Sequence, residues 1–180
     1  MNWFVLLVRT ATEERVLKLL EKNLDKDIHI PFIPKKDWPH IEANNAGVRK
    51  ETKICFPGYV FIKSHECVDE FIASMRPIID NIKEAYYFLY YGENRRDISM
   101  RESERVQIEP LLNRDYYMES SCGFIEGDRV KVTSGALMGL DSRIVKINKR
   151  KRTAVIDVSM LGDTRRITLM LEVLRKEAIS

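Results

Sequence analysis

The chain has 180 residues, 44% hydrophobic content and a net charge of +3, which fits one large globular domain or two small ones. Three cysteines and three histidines, without ligand spacing, argue against a disulfide scaffold or a zinc site, and no cofactor or metal is expected. No apolar run approaches the roughly 20 residues of a membrane span, so a cytoplasmic, membrane-free and monomeric protein is expected.

Trp3–Val8 reads as a buried strand; it lacks a basic leader and ends at Arg9, unlike a signal peptide. Thr10 or Thr12 is placed to cap a helix with Glu13 and Glu14 in its first turn and Val16, Leu19, Leu20 and Leu24 on one face. Ile28–Pro34 is a short strand, and polar, aperiodic Lys35–Lys53 reads as a long loop or irregular hairpin. Ile54–Ile62 is a strand entered through Pro57-Gly58. Val68, Phe71, Ile72 and Met75 mark a second helix that ends near Pro77. Tyr86–Tyr91 is another strand. Ser99 is placed to cap a third helix with Val106, Ile108, Leu111 and Leu112. Asn113–Cys122 reads as a linker.

Beyond it the composition changes. Residues 122–180 carry twelve Lys/Arg against seven Asp/Glu, or +5, whereas residues 1–121 carry 18 against 20, or −2. Short β-rich runs at Phe124–Val132, Ile144–Ile147 and Ala154–Val158 alternate with turns containing glycine or basic residues. Six of the ten residues from Arg143 to Arg152 are Lys or Arg and none is acidic, so a polyanion is the natural partner.

Phe124-Ile125-Glu126-Gly127-Asp128-Arg129-Val130-Lys131-Val132 followed by Ser134-Gly135 resembles a KOW domain, an SH3-like β-barrel. The opening Trp-Phe-Val strand and Phe56-Pro57-Gly58-Tyr59-Val60-Phe61 resemble the NGN domain of NusG-family transcription factors. Both motifs in this order cover nearly the whole chain. The resemblance implies an α+β protein: an N-terminal NGN α/β sandwich with an antiparallel sheet over residues 1–112, a flexible linker over 113–122, and a C-terminal KOW barrel over 123–180. It implies that NGN binds the clamp helices of the largest RNA polymerase subunit, with Phe56, Tyr59 and Phe61 at the matching positions. Arg76 falls where relatives approach the non-template DNA strand. The same aromatics would serve equally as sheet core, and Arg76 as a solvated helix-end cation.

The turn that is Gly-Pro-Phe in general NusG proteins is Gly135-Ala136-Leu137 here, and the far hairpin carries Met160-Leu161-Gly162 in place of Ile-Phe-Gly. The absence of that ring argues against contact with the ribosome or Rho. The gain is a basic set, Arg143, Lys146, Lys149, Arg150, Lys151, Arg152, Arg165 and Arg166, suited to a structured nascent RNA hairpin. In this the chain most resembles the LoaP antiterminator subgroup, which implies a processive antitermination and elongation factor recruited by RNA. A general NusG elongation factor that uses the barrel for ribosome or Rho contact is the alternative. Val130, Val132, Ile144, Ile147, Val155, Ile156 and Val158 are β-branched and favour strands over a helical refolding. No nucleophile–base pair, phosphate-cradling loop or metal set suggests an enzyme, and Glu66, Asp69 and Glu70 read as a helix-capping cluster, so no catalytic residue is assigned.

Overall fold

The computed structural model describes residues 1–42, 47–127 and 129–174; Asp128 of the Glu-Gly-Asp motif lies outside them. In chain order the elements are β1 (Asn2–Val8), α1 (Glu13–Asn23), β2 (His29–Phe32), β3 (Lys35–Ile41), β4 (Val48–Ile54), β5 (Tyr59–Ser64), α2 (Val68–Ile79), β6 (Ala85–Phe88) and α3 (Glu102–Ile108). They continue with β7 (Tyr117–Met118), β8 (Ser121–Glu126), β9 (Arg129–Ser134), β10 (Ile144–Asn148), β11 (Thr153–Met160) and β12 (Asp163–Leu174). This mixed α/β chain forms two compact units that interleave in sequence. One comprises Met1–Pro34, Phe56–Val106 and Ser159–Asp163; the other comprises Lys35–Cys55, Gln107–Val158 and Thr164–Ser180. Among the described residues, no helix is long and apolar enough to cross a membrane.

The first unit holds a four-stranded sheet in the order β2-β5-β1-β6. β1 is central, antiparallel to β5 and β6, and Trp3–Leu6 are buried. Phe4 stacks on Phe71 of α2 with centroids 3.6 Å apart, and Trp3 meets Phe32 edge-on at 5.3 Å. Each such pair adds about 0.5–1.5 kcal/mol beyond its area burial.

Ile54–Ile62, expected as one strand, is divided by the Pro57-Gly58 turn: Ile54 ends β4 and β5 starts at Tyr59. Gly58 has φ +85°, which favours glycine. Its N–H donates to Glu13 Oε1 at 2.6 Å, and its carbonyl accepts the Val8 N–H at 2.8 Å. Glu13, expected simply to face the helix N-terminus, is therefore a buried clasp between α1 and this turn. Thr12 occupies the N-cap, but its hydroxyl donates back to the Arg9 carbonyl rather than capping α1. The cluster near α2 is structural. Glu70 accepts the Cys67 N–H, Glu66 accepts the Ser74 hydroxyl, and Asp69 pairs with Arg96. Pro77 lies in the last turn of α2, near its end as expected.

The second unit contains a three-stranded sheet, β4-β3-β7, and a five-stranded sheet, β10-β11-β12-β8-β9. Lys35–Lys53, expected as a loop or irregular hairpin, forms the regular β3–β4 hairpin; residues 43–46 lie outside the described set. Cross-strand polar pairs, His40–Glu51 at 3.0 Å and Lys50–Asp37 at 3.5 Å, take the place of an apolar alternation and hide the strand period.

The expected linker 113–122 instead carries β7 and the start of β8. Its polar residues satisfy one another: Asn113 Oδ1 accepts the N–H groups of Asp115 and Tyr117. Asp37 then accepts the Tyr117 hydroxyl at 2.9 Å and the Ser120 N–H at 2.7 Å. Gly135 is forced at the next turn: φ is +86°, and a Cβ there would lie 2.1 Å from the Ser120 carbonyl oxygen. The turn sends Leu137 into the core, where its N–H donates to Ser121 Oγ.

Burial works to raise the Asp37 pKa, but the Ser120 N–H, the Tyr117 hydroxyl and Lys50 outweigh it and hold the carboxyl below its ordinary range. A depressed folded pKa contributes stability above the unfolded carboxyl's titration, about pH 4, that is lost as pH falls through the folded value. Replacing Asp37 by Asn should therefore flatten the acid limb of the stability curve, measured by urea denaturation at a series of pH values.

Candidate nucleic-acid interface

The basic turn is built by its own backbone. Asn148 and Thr153 close the β10–β11 hairpin. Asn148 Oδ1 accepts the Lys151 N–H at 2.9 Å, and the Arg152 N–H donates to the Lys149 carbonyl at 3.2 Å. Arg152 adopts φ +51°, the left-handed residue that lets a longer hairpin loop rejoin its strand. Lys149, Arg150 and Lys151 are thereby held exposed at the tip, and Lys146 is exposed on β10.

The eight expected RNA-contacting cations separate into two groups. Arg152 pairs with Glu172 at 2.7 Å, and Arg166 grips Asp157 through two hydrogen bonds of 2.8 and 3.1 Å. The Arg166 hydrogen bonds hold the Asp157 carboxyl below its ordinary range. Arg143 donates from Nη1 to the Gln107 carbonyl at 2.9 Å, and burial lowers its pKa. Its Nη2 is buried without a hydrogen bond. Arg165 is half-buried. Lys146, Lys149, Arg150 and Lys151 are exposed and form no ion pair among the described residues.

The three aromatics of the Phe-Pro-Gly-Tyr-Val-Phe motif also separate. Phe56 and Phe61, expected at a contact surface, are core residues, at 4% and 0% exposure. Phe61 packs 5.4 Å from Phe56 and 5.5 Å from Phe32, and meets Trp3 edge-on. Tyr59 is half-buried and stands opposite Leu7, which in turn stands opposite Tyr87. Cross-strand neighbours in register share one face, so Tyr59, Leu7 and Tyr87 make an apolar row across β5, β1 and β6.

Arg76 is exposed on α2, 3.9 Å from Asp80, and lines a groove of about 780 Å³ with Met75, Tyr87, Tyr90, Arg95 and Arg96. Arg95 lies over the Tyr90 ring at 5.9 Å. Leu7, Tyr87, Tyr90 and the two arginines escape a reading of the sequence by motif. The signal that could have found them is the mixture of tyrosines and arginines between Tyr86 and Arg96.

The family model described as "Transcription termination factor nusG" matches residues 1–109. The chain belongs to the NusG family. The matched segment contains Phe56, Tyr59, Phe61 and Arg76 and ends before the basic set. No curated protein matches the chain. A solved chain described as "Crystal Structure of MjSpt4:Spt5 complex conformation B" is similar over 93% of this chain and 91% of its own, at 11% identity and a TM-score of 0.35, too low to carry an argument.

The separation of roles is measurable. Phe61→Ala should cost about 3–5 kcal/mol of stability in denaturant titration, while Tyr59→Ala should cost far less. Arg143→Ala should lower stability by about 1.5–3 kcal/mol, the range for a hydrogen bond from a charged donor, with little change in the salt dependence of RNA binding.

Proposed function

We propose that this NusG-family protein is a specialised paralogue of the LoaP type, a cytoplasmic processive antitermination and elongation factor. Residues 1–112 serve as the polymerase module. Its contact with the clamp helices is centred on Tyr59, flanked by Leu7 and Tyr87, with Phe56 and Phe61 buried in the core beside it. Tyrosine suits this role because it offers a large contact area at little entropy cost. The groove beside Arg76, with its tyrosines and arginines, takes an unpaired stretch of non-template DNA by stacking and phosphate contact.

Residues 123–180, as a KOW-type SH3-like barrel, bind a structured nascent RNA hairpin. The carrying observation is that Lys146, Lys149, Arg150 and Lys151 are exposed and unpaired among the described residues, while Arg143, Arg152 and Arg166 are already engaged within the chain. Phosphate contacts by such residues release condensed counterions, which gives strong, salt-sensitive affinity. The action is binding alone. Holding the polymerase in its elongating state requires only that the factor prefer that state over the paused one. RNA capture supplies recruitment to particular transcripts. Leu137 and Leu161 are both buried and lack the phenylalanine ring of general NusG, which favours RNA over the ribosome or Rho as the partner of this module.

The test uses the full chain, RNA polymerase and structured leader RNAs under salt titration. Reversing Lys146, Lys149, Arg150 and Lys151 to Glu should abolish RNA binding and leave polymerase binding intact. Single reversals should each flatten the log–log salt slope by about 0.7–0.9 for every phosphate that the wild-type side chain neutralises. Tyr59→Ala should do the opposite, weakening polymerase binding while sparing RNA. Unchanged RNA affinity in the reversed variant would return the protein to a general elongation role.

A further inference from the structure

Next to the basic turn lies a cleft of about 700 Å³, lined by Arg129, Val130, Asp141, Ile144, Val145 and Lys146 among others. Its walls come from β9 and β10, the two edge strands of the five-stranded sheet. We propose that this cleft receives an unpaired nucleobase extruded from the structured RNA, while Lys146 and the turn at Lys149–Lys151 hold the neighbouring phosphates. The proposal rests on the RNA-binding reading above and adds to it a site that selects bases.

Three observations choose this occupant. The first excludes an added peptide strand. Between Ile144 and Lys146 the register against β11 slips, with Ile144 opposite Ile156 but Lys146 opposite Val155. The extra residue is Val145, carried in a bulge and 57% exposed. A bulge and edge lysines are devices that stop further strand pairing. On the facing edge, Asp141 Oδ1 already accepts the Val132 N–H at 2.5 Å, filling a donor that an incoming strand would need.

The second observation disfavours a phosphate deep in the cleft, because Asp141 places a carboxylate in its wall alongside Arg129 and Lys146. The third is positive. Val130, Ile144 and Val145 provide apolar faces for a planar ring, and Arg129 provides a guanidinium of the kind that stacks on bases. Among the described residues, Asp141 Oδ2 takes no hydrogen bond, so it is available to an amino group on a base edge. Adenine, cytosine and guanine carry such an amino group and uracil does not. The cleft's volume lies within the range of sites that enclose small ligands. An RNA held only by its phosphates is read by shape. A base seated here would add sequence selection at one unpaired position.

The experiment uses the full chain and fluorescently labelled blunt RNA duplexes, either fully paired or carrying a single bulged A, C, G or U. Duplexes bulged with A, C or G should bind about tenfold tighter than the paired duplex, with the U bulge close to paired. Val145→Trp, a surface change that fills the cleft, should erase that advantage while leaving paired-duplex affinity within about twofold. Asp141→Asn keeps the acceptor for Val132 and should relax the preference among bulged bases.

Equal binding of bulged and paired duplexes, or an advantage that survives Val145→Trp, overturns the cleft and leaves the basic turn standing. A bulged U bound as tightly as the others overturns the role of Asp141. No binding to any RNA removes both the cleft and the reading on which it rests.

Discussion

Backbone N–H groups left unpaired at turns and sheet edges must find an acceptor, and this chain supplies carboxylates. Glu13 takes Gly58, Asp37 takes Ser120, Asp141 takes Val132, and Glu104 takes Gly162. Each bond ties residues far apart in sequence or closes a turn that would otherwise strand a donor. A hydrogen bond to an ionised acceptor is stronger than one between neutral partners, so a few of them can fix turns whose own propensity is modest. The arrangement of Tyr59 depends directly on the first of these. The strand that carries it starts at the residue after Gly58, and Glu13 sets where that start lies.

Using acids in this way changes what the bases can do. The chain has 30 Lys and Arg against 27 Asp and Glu, a balance that predicts little by itself. Carboxylates such as Glu13, Glu104 and Asp141 are committed to backbone, and others, such as Glu172 and Asp157, neutralise particular arginines. Among the described residues, Lys146, Lys149, Arg150 and Lys151 form a contiguous unopposed group on β10 and its turn, while Lys18, Lys22 and Lys83 are unopposed elsewhere. The proposed RNA contact rests on this distribution of pairing rather than on net charge. An exposed arginine already in a bidentate pair must give up that pair to meet a phosphate, whereas Lys149 gives up only water.

The division between legible and illegible features follows the same physics. β1, α1, the Pro-Gly turn and, in the C-terminal sheet, β8 to β11 are visible in sequence because apolar periodicity and glycine carry them, whereas β12 (Asp163–Leu174) is not among the runs read there. The β3–β4 hairpin is not legible as a regular hairpin because its cross-strand contacts are polar, and the period-two signal requires apolar residues. The stretch 113–122 reads as a linker because the side-chain acceptors that organise it, Asn113 and Asp37, register only as polarity; Asp37 lies 83 residues from Ser120. Tyr59 and Phe61 share strand parity, so spacing alone does not say that one is half-exposed and the other enclosed. The basic set is visible as composition. Which members are free is not, because the partners of Arg152 and Arg166 come from other strands.

The edge strand β10 illustrates how one set of residues answers two demands. An edge strand in a soluble sheet must discourage pairing with other chains, and lysines and bulges achieve that at small cost. The same devices move Val145 and Lys146 outward, beside a cleft whose wall mixes apolar side chains with Arg129 and Asp141. Protection of the edge therefore accounts for part of the surface proposed to meet RNA. It does not account for the three consecutive cations in a turn closed by Asn148, because a hairpin loop has no strand edge to protect. The density of charge at that loop, unopposed by any acid among the described residues, is the part of the design that stability alone leaves unexplained, since like charges held side by side repel. A polyanionic partner would relieve that repulsion on binding, and this is the physical reason behind the proposed RNA contact there.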